Sequence, residues 1–245
     1  MSAQFEEIDR QATPIGEISV RRRLEPTLQI DVYEVKLGDE FLMSSLFTVS
    51  ETALADLALA ELPGPGRDET DLDVVVGGLG LGYTARAVLR DDRVRSLTVV
   101  ETVGAVIDWH QRGLLPHTAE LTTDPRCRFV QDDFFAAVAA GAAFGGAGPD
   151  APSRVHAVLV DIDHTPRHLL HPSHGGFYTP AGLSRVVDRL HPGGVFALWS
   201  DDPPDADLQA VLGEVFTTSA AHVVTFPNFY TGGESANTVY VARAA

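Results

Sequence analysis

Apolar and polar positions follow two different rhythms along the chain. Between Ile18 and Met43 they alternate: Ile18 and Val20, then Leu28, Ile30, Val32 and Val35, then Phe41 and Met43, with breaks at Pro26 and Gly38-Asp39. A period of two predicts strands, here two or three antiparallel ones forming a small N-terminal β-unit. The polar residues 1–16 read as a loose tail ahead of it. ETALADLALAEL (51–62) changes the period: Leu54, Leu57, Leu59 and Leu62 recur at helical spacing behind Ser50, a candidate N-cap. PGPGRDETD (63–71) reads as a linker loop.

Beyond it, short apolar runs alternate with amphipathic stretches. The runs are Leu72–Val76, Leu97–Val100, CRFVQ (127–131), VHAVLVDID (155–163), VFALWS (195–200), AHVVTF (221–226) and NTVYVARA (237–244). Helical patterns lie at Tyr83–Leu89, 103–112, FFAAVAA, from Thr179-Pro180 to about Leu190, and 205–215. Unbroken apolar runs suit strands buried on both faces, and β-α alternation suits a parallel sheet. The two final runs predict a hairpin that brings in one antiparallel strand. The expected class is α/β: residues 1–49 as tail and β-unit, 50–245 as the nucleotide-binding domain. AGAAFGGAGPDAPS (140–153) reads as a mobile low-complexity loop.

Composition narrows the partners. The net charge is −16, and the one basic cluster is Arg21-Arg22-Arg23. That balance argues against a nucleic acid, whose phosphates need clustered Lys and Arg. Cys127 is the only cysteine, and no apolar run approaches the ~20 residues that span a bilayer. A reducing, cytoplasmic setting is the expectation, with no membrane partner. A homodimer is kept open.

The chemistry gathers at strand ends. Gly77, Gly78, Gly80 and Gly82 follow the first long run, and Glu101 ends the second, 23 residues after Gly78. Such glycines let the chain turn sharply and bring backbone N–H groups close to a ligand, and an acid about twenty residues on suits ribose hydroxyls. The spacing is G-x-G-x-G, which favours a single nucleoside such as S-adenosylmethionine over a dinucleotide. Asp132-Asp133 and Asp161-x-Asp163 end the next two runs. Asp161, Asp163 and His164 are the candidates for a base; a hydrogen-bonded turn is the alternative for Asp163 and His164. His164, His168, His171 and His174 share one loop, but Pro166 and Pro172 break any helix that would gather them. No metal is expected. Trp109 and Trp199 read as packing residues, the latter with a lining role open. Phe229-Tyr230 are placed to close the pocket.

The motifs VVVGGLGLG, VVE ending at Glu101, FVQDDFF, VLVDIDHTP and FYTPAGLSRVVDRLHPGGVFALW resemble the spermidine synthase-like family, a branch of the S-adenosylmethionine-dependent methyltransferase superfamily. The resemblance covers roughly residues 28–243. It implies a Rossmann-like methyltransferase fold and S-adenosylmethionine, or its decarboxylated form, as co-substrate, with a small-molecule acceptor. It also implies that Gly78, Gly80 and Gly82 line the methionine side and that Glu101 holds the ribose. By the same resemblance Asp132, beside Asp133, meets the adenine amino group, and Asp161 takes a proton from an attacking amine. The family's Gly-Gly-Gly-Asp-Gly loop has Leu81 in place of its Asp, and its D-E-x-x-Y-H-E segment aligns with Ser50–Asp56, so Leu54 and Ala55 replace Tyr and His. Its D-S-S-D-P aligns with Asp161–Pro166 and keeps the first Asp. These departures favour methyl transfer from the carboxylated donor to a small acceptor, an amine being one candidate, over aminopropyl transfer to putrescine. A nucleoside-binding or assembly module without activity is the rival of another class.

Overall fold

The computed structural model describes residues 5–63, 71–144 and 152–245. Among the described residues two sheets form. The first is antiparallel, in the order β1 (Phe5–Thr13), β2 (Gly16–Glu25), β3 (Ile30–Leu37) and β4 (Glu40–Ser44). β1 occupies what the sequence presented as a loose tail. Its signal is electrostatic: the register sets Glu6 opposite Arg22, joined at 2.6 Å, while the Arg21 guanidinium lies 5.5 Å from the Phe5 ring. Arg21 and Arg23 both bond Glu34, at 2.6 and 2.7 Å. Each arginine of the basic cluster is therefore matched by an acid.

Helix α1 (Val49–Ala60) follows, then β5 (Leu72–Gly77), α2 (Tyr83–Leu89), β6 (Val94–Glu101), α3 (Gly104–Gln111), α4 (Thr118–Thr122), β7 (Cys127–Gln131) and α5 (Phe134–Ala139). The chain ends with β8 (Val155–Val160), a 3-10 turn at Pro172–Gly176, α6 (Pro180–Val187), β9 (Leu190–Ser200), α7 (Ala206–Val215), β10 (Thr218–Asn228) and β11 (Gly233–Arg243). The second sheet runs β10-β11-β9-β8-β5-β6-β7. Strands β5 to β9 are mutually parallel, and β11 lies antiparallel between β9 and β10. This is the mostly parallel sheet with an antiparallel C-terminal strand that the sequence implies.

Burial explains the apolar runs. Val74, Val76, Leu159 and Ala197 belong to the core on one face, with α1, α2 and α3; Val75, Val158, Val160 and Phe196 belong to the other, with α5, α6 and α7. Alternate residues of a strand point to opposite faces, so a strand covered twice must be apolar throughout. The first core also takes in Ile18, Val20 and Val35. The small sheet thereby sits over the C-terminal strand ends, with β2, β3 and β4 forming a roof. The linker 64–70 and the centre of the loop at 140–153 lie outside the described residues.

Local caps refine the boundaries. Thr179 accepts from the Gly182 N–H with Pro180 in the first turn of α6, and Asp205 accepts from Asp207 and Leu208 at α7. Ser50 does not cap α1. The N-cap is Thr48, with no side-chain bond, and Ser50 lies inside the first turn with its hydroxyl turned elsewhere. The segment LLPHTAELTTDP (114–125), which shows no clear period in the sequence, contains α4.

Candidate functional site

Two adjoining cavities open under the roof, at the ends of β5, β6, β8 and β9. One, of about 460 Å³, is lined by Gly78, Gly80, Glu101, Val103, Asp133 and Asp161 among others. The other, of about 330 Å³, is lined by Phe47, Glu51, Leu81, Tyr83, Trp199 and Phe226 among others. Both volumes lie in the range of small-molecule sites. Leu42, Met43, Gly80, Asp161 and Ile162 line both, so the lobes meet there.

The glycine turn borders both lobes, Gly78 in the first, Gly82 in the second and Gly80 in both. Gly78 (φ +96°) donates its N–H to the Val100 carbonyl at 2.9 Å, and a Cβ built on it would stand 2.1 Å from the Asp161 carbonyl oxygen. No side chain fits there. Gly82 (φ +86°) is the N-cap of α2. His110, buried beneath the loop, places Nε2 2.9 Å from the Gly80 carbonyl. Burial pulls its pKa down, so the neutral ring donates Nε2–H and anchors the turn. Its Nδ1 is buried without a protein partner among the described residues. The sequence did not single out His110, because it sits mid-helix among apolar neighbours.

Glu101 stands where a ribose-binding acid is expected. Leu79 and Val103 donate their N–H groups to its two oxygens, at 2.9 and 2.8 Å. Burial pushes its pKa up against those bonds. Each oxygen keeps a lone pair for a hydroxyl. Asp133 also lines this lobe, but its Oδ1 caps α5 through the Ala136 N–H at 2.9 Å. Asp132 is exposed and accepts from the Asp133 N–H at 2.8 Å; it is not among the lining residues.

Asp161 is the hinge of the site. Its N–H is tied to the Gly77 carbonyl at 2.9 Å, and Thr84 donates to its Oδ2 at 2.7 Å. Burial raises its pKa. Asp163 goes the other way: 2% exposed, it accepts from the Leu170 N–H at 2.7 Å, from His174 Nδ1 at 2.8 Å and from the Tyr178 hydroxyl at 2.8 Å. It lines neither lobe and its bonds hold the 164–178 loop; of the three candidate bases, Asp161 and His164 line the cavities. His164 lines the second lobe with Nε2 3.4 Å from Glu40. His171 and His174 line the first. Among the described residues no group of three or more His, Cys, Asp or Glu stands close enough to hold a metal.

The second lobe is built from distant segments. Trp199, at the end of β9, donates Nε1–H to Ser50 Oγ at 3.0 Å. Phe226 of β10 packs on Phe47 at 5.3 Å, while Phe229 and Tyr230 stack behind it, and Tyr230 donates to Glu25 at 2.7 Å. Phe226, rather than Phe229-Tyr230, reaches the cavity. Trp109 is core, bonded to Asp9 at 2.7 Å. Leu54 and Ala55 are fully buried in the core and do not face the lobe; Leu81 does. Glu51, missed by the sequence reading, faces the lobe near Asp161. Burial and the Asp161 carboxyl push its pKa up to about 7. Its one sequence signal was its match to the Glu of the family's D-E-x-x-Y-H-E segment.

No family model matches the chain, and no curated protein matches it in sequence. Solved structures match in shape. Spermidine synthase from Thermotoga maritima is 18% identical with a TM-score of 0.71, over 98% of this chain and 73% of that one. A spermidine synthase in complex with the transition state analogue AdoDATO is 19% identical with a TM-score of 0.72, over 98% and 74%. Human methyltransferase-like protein 13 in complex with SAH gives 18%, 0.60, 80% and 82%. No helix among the described residues is long and apolar enough to cross a membrane. The chain has the Rossmann-like fold of spermidine synthases and of this methyltransferase-like protein, with an N-terminal antiparallel sheet roofing the strand ends.

Proposed function

We propose that this chain is a transferase that moves an alkyl group from an S-adenosylmethionine-type sulfonium nucleoside to an amine. The observation that carries the reading is the junction of the two lobes at Asp161. The nucleoside takes the glycine-lined lobe with its ribose at Glu101, and the acceptor takes the aromatic lobe. The sulfonium is an activated donor, so the protein has to align the acceptor and remove its proton. Asp161 accepts a proton from the ammonium. The freed nitrogen lone pair forms the C–N bond as the C–S bond breaks, and the electron pair returns to sulfur as a neutral thioether.

Neither lobe has a Lys or Arg among its lining residues, whereas Glu51, Glu101, Asp133, Asp161 and Asp201 all line one or both. That balance attracts a cationic acceptor and leaves a donor carboxylate without a counter-ion. It supports the decarboxylated donor and hence aminopropyl transfer, reversing the preference drawn from Leu81, Leu54 and Ala55. Two of those three replacements lie in the core, where they bear on no ligand. Methyl transfer to an amine is the second reading, favoured by Leu81, which does line the acceptor lobe. Against a binding module without activity stands a buried carboxylate at the meeting point of the lobes. Incubation with each donor and a set of linear mono-, di- and triamines, followed by mass spectrometry, tests this. Release of the thioether nucleoside by the wild type and not by Asp161→Asn is expected; no release with any pair overturns it.

A further inference from the structure

Five side chains on the wall of the acceptor lobe fix one another's protons. Ser50 Oγ lies 3.0 Å from Glu51 Oε2, 3.0 Å from Asn237 Oδ1 and 3.0 Å from Trp199 Nε1. Asn237 Nδ2 lies 2.6 Å from Asp201 Oδ1. A carboxylate only accepts, so the Asn237 amide must turn its NH₂ to Asp201 and its carbonyl to Ser50. Trp199 only donates. The single hydroxyl proton of Ser50 then has two oxygen neighbours and can serve one. Asn237 Oδ1 has no proton to offer, so it takes the one from Ser50. The contact between Ser50 and Glu51 is left with a lone pair on each side unless Glu51 brings a proton of its own.

We propose that Glu51 is protonated in the resting site, its one O–H donated to Ser50, so that it offers the acceptor lobe a neutral carboxyl and leaves Asp161 as the carboxylate that meets the amine. With that proton in place every member of the wall is satisfied: Ser50 accepts from Trp199 and Glu51 and donates to Asn237. The groups facing Glu51 agree. Asp161 at the end of β8 disfavours a second negative charge beside it, and Tyr83 of α2, Asp201 after β9 and His164 of the 164–178 loop line the same lobe. Placement in the first turn of α1 favours the ionised form, but burial and Asp161 outweigh it, and the carboxyl loses its proton only near 7. Two acids in one lobe thus take different parts. One is charged and receives the proton of the acceptor; the other is neutral and orients.

The proton placement is independent of the transfer reaction, and only its consequence for the acceptor rests on the function proposed above. The test is the full chain labelled with ¹³C at the glutamate carboxyls, followed by NMR through a pH titration. The signal that vanishes in Glu51→Gln is expected to titrate with a midpoint near 7. In Asn237→Ala the hydroxyl proton of Ser50 is released to Glu51, and the midpoint is expected to fall by about one pH unit or more. A Glu51 midpoint in the ordinary carboxylate range, or one indifferent to Asn237→Ala, overturns the assignment. In turnover, Asp161→Asn is expected to lose about a hundredfold or more. A wild type silent with every amine defeats the transferase reading, and the titration still decides the proton.

Discussion

The donor lobe and the acceptor lobe differ in what they are made of. The donor lobe joins a glycine turn, Gly78 and Gly80 with positive φ and one carbonyl held by His110, to Glu101, whose oxygens are pinned by two N–H groups. The acceptor lobe shares the turn at Leu79–Gly82 and adds side chains from β4, α1, the end of β9 and the β10–β11 hairpin. A backbone site tolerates little change because its geometry is the turn itself. A side-chain site can be rebuilt one residue at a time while the sheet beneath stays as it is. One scaffold can therefore keep its nucleoside and change its acceptor.

That contrast sets an order of expected damage. Asp161→Asn removes the group both lobes share, and turnover should fall by about 10²–10⁴ with donor affinity little altered; single-turnover rates and calorimetry separate the two. Gly78→Ala strikes the backbone lobe. The new Cβ would stand 2.1 Å from the Asp161 carbonyl in a left-handed conformation, so a stability loss of about 3 kcal/mol is expected in denaturant unfolding. An acceptor-lobe change such as Phe226→Leu should cost far less, and equal losses would erase the distinction.

Glu101→Ala should weaken nucleoside binding by about 1.5–3 kcal/mol without affecting amine affinity, both read by calorimetry. pH sharpens the comparison from the acceptor side. Glu51 gives up its proton near 7 in the folded chain and at the ordinary value of 4.5 when unfolded. The unfolded chain loses the proton first, so this contribution to stability is fully present below 4.5 and is lost as pH rises to about 7. Glu51→Gln should flatten that decline by on the order of 2 kcal/mol, measured as unfolding midpoints at pH 5 and pH 7. The smallest effect belongs behind the lobe: Tyr230→Phe deletes the hydroxyl that donates to Glu25 and accepts from Arg23, and should lower the denaturant midpoint least of the set.

The same contrast explains what could be read in advance. A glycine turn followed by an acid at a fixed distance is local, so Gly78, Gly80, Gly82 and Glu101 are legible in one stretch, and apolar runs announced the doubly covered strands. Strand β1 was not legible: its order comes from pairing with the arginines of β2 and not from an apolar face. Asp161 and Asp163 are two residues apart on an irregular segment. Only the folded loop shows that Leu170, His174 and Tyr178 claim the second. Ser50 carried the signature of a cap, but its hydroxyl serves Trp199, 149 residues away. Ser50 and Asn237 meet through the tertiary fold alone, and no spacing rule connects them.

The most direct test of the account is a competition. The protein is given S-adenosylmethionine and its decarboxylated form at equal concentration with the linear amines, and the two thioether products are followed by mass spectrometry. The account predicts that methylthioadenosine accumulates with an aminopropylated amine, and that Asp161→Asn stops both. Accumulation of S-adenosylhomocysteine with a methylated amine would contradict the charge argument for the donor. Failure of both to appear would contradict the transferase itself.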